Sequence, residues 1–136
     1  MLINQRLSEA MLSVPATLSG GGNATSDWAD MNNRYDYTFL VAVGAMAASK
    51  GVKIALLGSN DSSGSSSEAI AEYTHTTTDA EDGHLFALRG RVTPDWRYMA
   101  VRITNQDSST ASAAAVILVS DATYVPADDG VTVVQV

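Results

Sequence analysis

Cysteine is absent from the chain, which removes disulfides, thiolate-ligated zinc and thiol nucleophiles together. Charge is scarce as well. Charged residues make up 17% of the sequence and hydrophobic ones 46%, against roughly 25% charged residues in an average globular domain. Eight charges are basic and 15 acidic, for a net charge of −7. A surface of that sign repels phosphate backbones and anionic headgroups, so the expectation is no nucleic-acid and no membrane partner. The basic residues form no run: Arg89, Arg91, Arg97 and Arg102 are interleaved with apolar neighbours. No apolar stretch approaches the roughly 20 residues that span a bilayer. The opening MLINQRLSEAMLSV carries Glu9 and no continuous apolar run, unlike a secretory signal. Synthesis and folding in a cytoplasm are expected.

The 136 residues suit one domain around one core. With so little charge, the surface must be largely Ser, Thr, Asn, Gly and Ala. Weakly charged areas of this kind suit permanent protein interfaces, because burying unpaired charge is costly.

Hydrophobic period organises the rest. Tyr35, Tyr37, Phe39, Val41 and Val43 alternate with Asp36, Thr38, Leu40 and Ala42, and Val52, Ile54 and Leu56 alternate with Lys53, Ala55 and Leu57. Both runs read as strands, and GAMAASKG between them reads as a hairpin-like connection. Residues 69–76, 84–92, 97–105 and 113–120 are further strand candidates, separated by polar breaker clusters such as NDSSGSSS at 60–67. Glu68 to Tyr73 also fits a short helix, although the Thr-rich residues after it oppose extension. The pattern predicts an all-β fold, a jelly-roll-like β-sandwich of six to eight antiparallel strands. Its expected core is Tyr37, Phe39, Val41, Ile54, Leu56, Val101, Ile103, Ile117 and Val119.

Two segments fall outside that domain of 23–126. In residues 1–22, Ile3, Leu7, Ala10, Met11 and Val14 have helix-like spacing before Pro15, and Gly20-Gly21-Gly22 reads as a hinge. An N-terminal arm is therefore expected. Residues 127–136 end in the uncharged, β-prone VTVVQV, expected to pair with a strand edge as a C-terminal tail.

Catalytic motifs are missing: no serine stands in G-x-S-x-G, and no phosphate-binding glycine motif occurs. The expectation is no enzyme and no cofactor. The two histidines, His75 and His84, bracket Asp79, Glu81 and Asp82, a loop that could in principle collect a divalent ion. Its spacing matches no defined metal site, so it reads as a solvated acidic hairpin loop and no metal is expected. Trp28 and Trp96, at strand entries, read as packing residues rather than as a sugar-stacking platform.

Trp28-Ala29-Asp30-Met31, Tyr35-Asp36-Tyr37-Thr38-Phe39 leading to Val43-Gly44, Val52-Lys53-Ile54 leading to Gly58-Ser59-Asn60-Asp61, and Arg97-Tyr98-Met99-Ala100-Val101-Arg102 form a framework. Together with Ala113 to Val119 and Pro126, it resembles the small β-sandwich head decoration, or cement, proteins of tailed bacteriophages. The resemblance spans residues 27–126 and implies a non-enzymatic protein on the outer surface of a virion, bound to the major capsid protein. It implies no active-site residue. A carbohydrate- or receptor-binding module of a phage fibre or tail is the alternative.

Expected partner contacts fall on Ile3, Leu7 and Met11 in the arm and on Val131, Val133 and Val134 in the tail. They also fall on Val116 and Leu118, because Ala113 to Ser120 is apolar at both parities and a two-layer sandwich covers only one face. A homo-oligomer, a trimer before a dimer, is expected from that second face.

Overall fold

The computed structural model describes residues 7–18, 20–107, 112–122 and 128–129, with side chains at 18, 20–107, 116 and 118. Among them every regular element is a strand: β1 (Leu7–Leu18), β2 (Asn23–Thr25), β3 (Ala29–Asp30), β4 (Arg34–Val43), β5 (Gly51–Ser59), β6 (Glu68–Thr76), β7 (His84–Arg91), β8 (Tyr98–Asn105), β9 (Ser112–Ala122) and β10 (Asp128–Asp129). One sheet has the order β10-β1-β9-β4-β7 and the other β2-β8-β5-β6, with β3 also on β8. All long strands pair antiparallel, and only β1 with β10 is parallel. The protein is an all-β sandwich.

The core lies between the sheets. Phe39, Val41 and Val43 of β4 and Val116 and Leu118 of β9 meet Val52, Ile54 and Leu56 of β5 and Met99, Val101 and Ile103 of β8. Each set repeats every second residue, as the pleat requires. Tyr37 packs against this cluster and is only partly buried.

Several expectations change. The connection 44–50 carries the chain from one sheet to the other, as does 77–83, so neither is a hairpin. The hairpin is β5–β6, through residues 60–67. Leu7–Leu18 is a strand rather than a helical arm, paired with β9 through two register shifts, at Met11/Ser13 and Ser13/Ala16. Pro15 lies inside the second shift, where a residue without an N–H interrupts no regular ladder bond. The glycines are no hinge either: Gly21 N–H donates to Asp107 O at 2.7 Å, and Gly22 O accepts from Asn105 N–H at 2.9 Å. Leu7 and Met11 stand opposite Asp121 and Ile117 of the chain's own β9. Asp128–Asp129 also returns to β1. Ile3, Val131, Val133 and Val134 lie outside the described residues.

Val116 and Leu118, expected on a partner, are in the core at 1% and 0% exposure. The register decides it: Leu118 pairs with Phe39 and Val116 with Val41, and cross-strand neighbours share a face. The side chains of Ile117 and Val119 lie outside the described set. The strand buried on both faces is instead β5, where Ala55, Leu57 and Ser59 of the outer face are 2%, 4% and 0% exposed. Ala55 lies in register between Glu72 and Arg102, and Lys53 pairs with Glu72 at 2.9 Å beside it.

Because Leu118 has no exposure, Leu118→Ala should cost about 2–5 kcal/mol in urea unfolding, and Leu118→Asp should not fold. A folded Asp variant of parental stability would contradict this register.

Candidate functional site

At one flank of the sandwich β10 and β2 end the two sheets, and at the other β6 and β7 do; this second flank is the open edge, where a cleft runs between the sheets. β6 is unusual for a strand of nine residues: every position except His75 is exposed. Its residues were selected by neither face of a core. Ile70, Tyr73 and Leu85 are nevertheless apolar and 40%, 57% and 63% exposed.

Between the two edges runs a cleft of about 350 Å³ lined by Ile54, Tyr73, His84, Leu85, Phe86, Ala87 and Leu88. Pleat and register build it. Tyr73 and His75 stand opposite Ile54 and Val52, so they face the other sheet. Phe86 and Leu88, opposite Val41 and Phe39, face back. Tyr73 and Phe86 tilt against each other with ring centroids 6.1 Å apart.

At one end of the cleft the rings of His75, His84 and Phe86 pack together, tilted or edge-on to one another. His84 is centred 4.4 Å from both His75 and Phe86. Glu81 closes the group: His75 Nε2 lies 3.1 Å from its Oε1 and His84 Nδ1 3.0 Å from its Oε2. Burial raises the Glu81 carboxyl, but the hydrogen bonds and charge of the two imidazoles outweigh it and hold the group below its ordinary value. Asp79 and Asp82, its companions in the sequence, are exposed and stand outside the cluster.

The support beneath the cluster is rigid. Glu81 exchanges both backbone hydrogen bonds with buried Met46, at 2.8 and 2.9 Å. Thr77, 3% exposed, donates its hydroxyl to Ala47 O at 2.6 Å and accepts from Lys50 N–H at 3.1 Å. Gly51 has φ +143, and a Cβ there would overlap the His75 carbonyl, so β5 can lie against β6 at this point only with glycine.

Both tryptophans are half-buried and stand outside the core cluster, and Trp96 also lines a second cleft beside Met31 and Arg97. A Cβ on Gly64 would overlap the Trp28 indole, and one on Gly58 would overlap that of Trp96. The aromatic character of the open edge comes instead from Tyr73 and Phe86, which alternation alone could not place across a sheet-to-sheet gap.

Thr77→Val removes a buried hydroxyl that ties two loops together, and should cost about 1–3 kcal/mol in denaturant unfolding. Unchanged stability would show that the loops under Glu81 are held by other contacts.

No protein-family model matches the sequence, and no curated protein matches it. Among solved structures, the chain is similar to the PBSX exported protein XepA, with 16% identity and a TM-score of 0.53 over 94% of this chain and 39% of that one. It is also similar to dimeric latent PorU from Porphyromonas gingivalis, with 11% identity and a TM-score of 0.55 over 88% of this chain and 13% of that one. A third likeness is to a structure of infectious bursal disease virus Gx strain, with 11% identity and a TM-score of 0.50 over 87% of this chain and 32% of that one. The chain thus spans well under half the length of each, and at these identities the likeness shows the fold alone.

Proposed function

We propose that this chain is a non-enzymatic docking module of a phage particle, a decoration protein that binds the outer surface of the head and takes an extended segment of a major capsid subunit onto its open edge. The observation that carries the proposal is β6, an edge strand exposed at all positions but one. A strand buried on neither face adds little to its own domain's stability. Its outward N–H and C=O groups, which pair with no strand among the described residues, are a template for another strand. An added strand would extend its sheet over Tyr73 and Phe86, backbone bonds supplying affinity and the cleft supplying specificity.

Three further points support the head reading. The framework resembles head decoration proteins, the net charge of −7 suits the outside of a DNA-filled shell, and sandwiches of this fold occur within larger chains. Val116 and Leu118 are in the core and so are not available to a partner, and the partner surface in this reading is β6 and β7. The carbohydrate reading is kept by one observation: Tyr73, 57% exposed, shares a cleft with Phe86, and aromatic faces pack on sugar rings.

Tyr73→Ser combined with Leu85→Asp tests the proposal, since both side chains are exposed and the fold should survive. Co-sedimentation with undecorated heads should fall at least about tenfold, worth ~1.4 kcal/mol, with the circular dichroism unchanged. Undiminished occupancy would contradict the docking edge. Oligosaccharide binding by the isolated chain, lost in Tyr73→Ser and without any binding to heads, would establish the carbohydrate reading instead.

A further inference from the structure

We propose that His75, Glu81 and His84 form a binding site for one first-row transition-metal dication of the zinc, cobalt or nickel class, which clamps the two sheets together at the open edge. Such a clamp is independent of docking, since it concerns how the edge is held and not what lies on it.

Three observations converge. The donor set comes first: two imidazole nitrogens and a carboxylate oxygen lie within 4.8 Å of one another. Imidazole and carboxylate are the ligands that such ions take, with metal–ligand bonds of about 2.0–2.2 Å. Two ligands of a tetrahedral ion then stand about 3.3 Å apart, and Glu81 Oε2 lies 3.2 Å from His75 Nε2 and 3.0 Å from His84 Nδ1. Only the gap between the nitrogens has to close. His84, at the first position of β7 and 39% exposed in its side chain, is free enough to rotate.

Placement is the second. The three ligands come from three different elements: His75 from the end of β6, His84 from the start of β7 in the other sheet, and Glu81 from the crossing between them. Glu81 is pinned through Met46, and His75 is fixed by the close approach of Gly51. Ligands on supported elements are the condition for a site that needs little ordering when the ion arrives. Phe86 walls one side, 5.3 Å from the His75 ring and 4.4 Å from the His84 ring.

Proton balance is the third. A carboxylate only accepts, so each ring nitrogen facing Glu81 carries hydrogen in the metal-free cluster. A neutral imidazole can move that hydrogen to its other ring nitrogen, leaving a lone pair directed at the ion. Nothing has to be oxidised, and a ring that is protonated when the ion arrives releases one proton to water. The positions left over go to water, with Asp79 and Asp82 not required.

These are the only histidines in a chain without cysteine, so the experiment is simple if the protein carries no histidine tag. Co²⁺ is titrated into the tag-free chain and followed by ligand-field absorption. Zn²⁺ is followed through the nitrogen-15 NMR signals of both imidazoles and through the melting temperature. The expected result is one ion per chain, shifts at the nitrogens of both rings, and a raised melting temperature. His84→Ala and Glu81→Gln should each weaken binding at least about tenfold, whereas Asp79→Asn with Asp82→Asn should leave it unchanged. The proposal is overturned if the parent chain shows no absorption bands and no imidazole shifts, if either ligand variant binds as tightly as the parent, or if the paired Asn variant abolishes binding. The imidazole shifts are read on the parent protein, so the outcome does not hang on any variant folding.

Discussion

Strand β5 is buried on both faces, and the architecture around it follows from that burial. Eight of its nine positions are buried, and a strand in that situation dictates what may stand beside it. Its inner residues Val52, Ile54 and Leu56 set the spacing to the other sheet. Its outer residues are small or covered, and its two close approaches use glycine. Gly51 lets the backbone of His75 come near, and Gly58 receives the Trp96 ring. Both ends of the strand thereby fix what lies at the open edge. The His75 end holds the histidine–glutamate cluster. The other end holds the loop closed by Ser59, whose hydroxyl donates to Ser65 O at 2.8 Å and accepts from Asp61 N–H at 3.0 Å.

β6 is held to this rigid strand on one side and has nothing on the other among the described residues. That asymmetry explains how a strand with no buried face persists: its order is borrowed from β5 through the ladder from Gly51–Thr76 to Gly58–Glu68. The opposite sheet offers β7 in the same condition, half-buried only at alternate positions. Two edges side by side, each with its inner residues facing a shared gap, make a cleft that the chain's own side chains fill incompletely. Docking and metal binding are two uses of this incompleteness, one along the cleft and one across its end.

The fold was legible where residue types differed between the two parities of a strand. Tyr37, Phe39 and Val41 against Asp36, Thr38 and Ala42 leave one answer, and the structure has it. Residues 113–119 are apolar at both parities, so the face of Val116 and Leu118 is set by register with β4, a long-range fact that no local period contains. The N-terminal segment misled for a related reason: two register shifts break the alternation of Leu7–Leu18, and what remains mimics helical spacing. At the candidate site the residue types were visible, but the 77–83 segment looked like a hairpin within one sheet. Its actual crossing between sheets brings His75 and His84 face to face, and loop composition does not distinguish the two routes.

If the β6–β7 edge is where this protein meets its partner, the amides of that edge must change state when the partner arrives. Hydrogen exchange on the free chain and on the chain bound to phage heads reads this change strand by strand. The outward-pointing β6 amides, which pair with no strand among the described residues, should exchange readily in the free chain and become protected on the particle, with β7 following and β2 and β3 unchanged. Protection confined to the opposite flank, or a β6 that exchanges equally in both states, would contradict the docking edge.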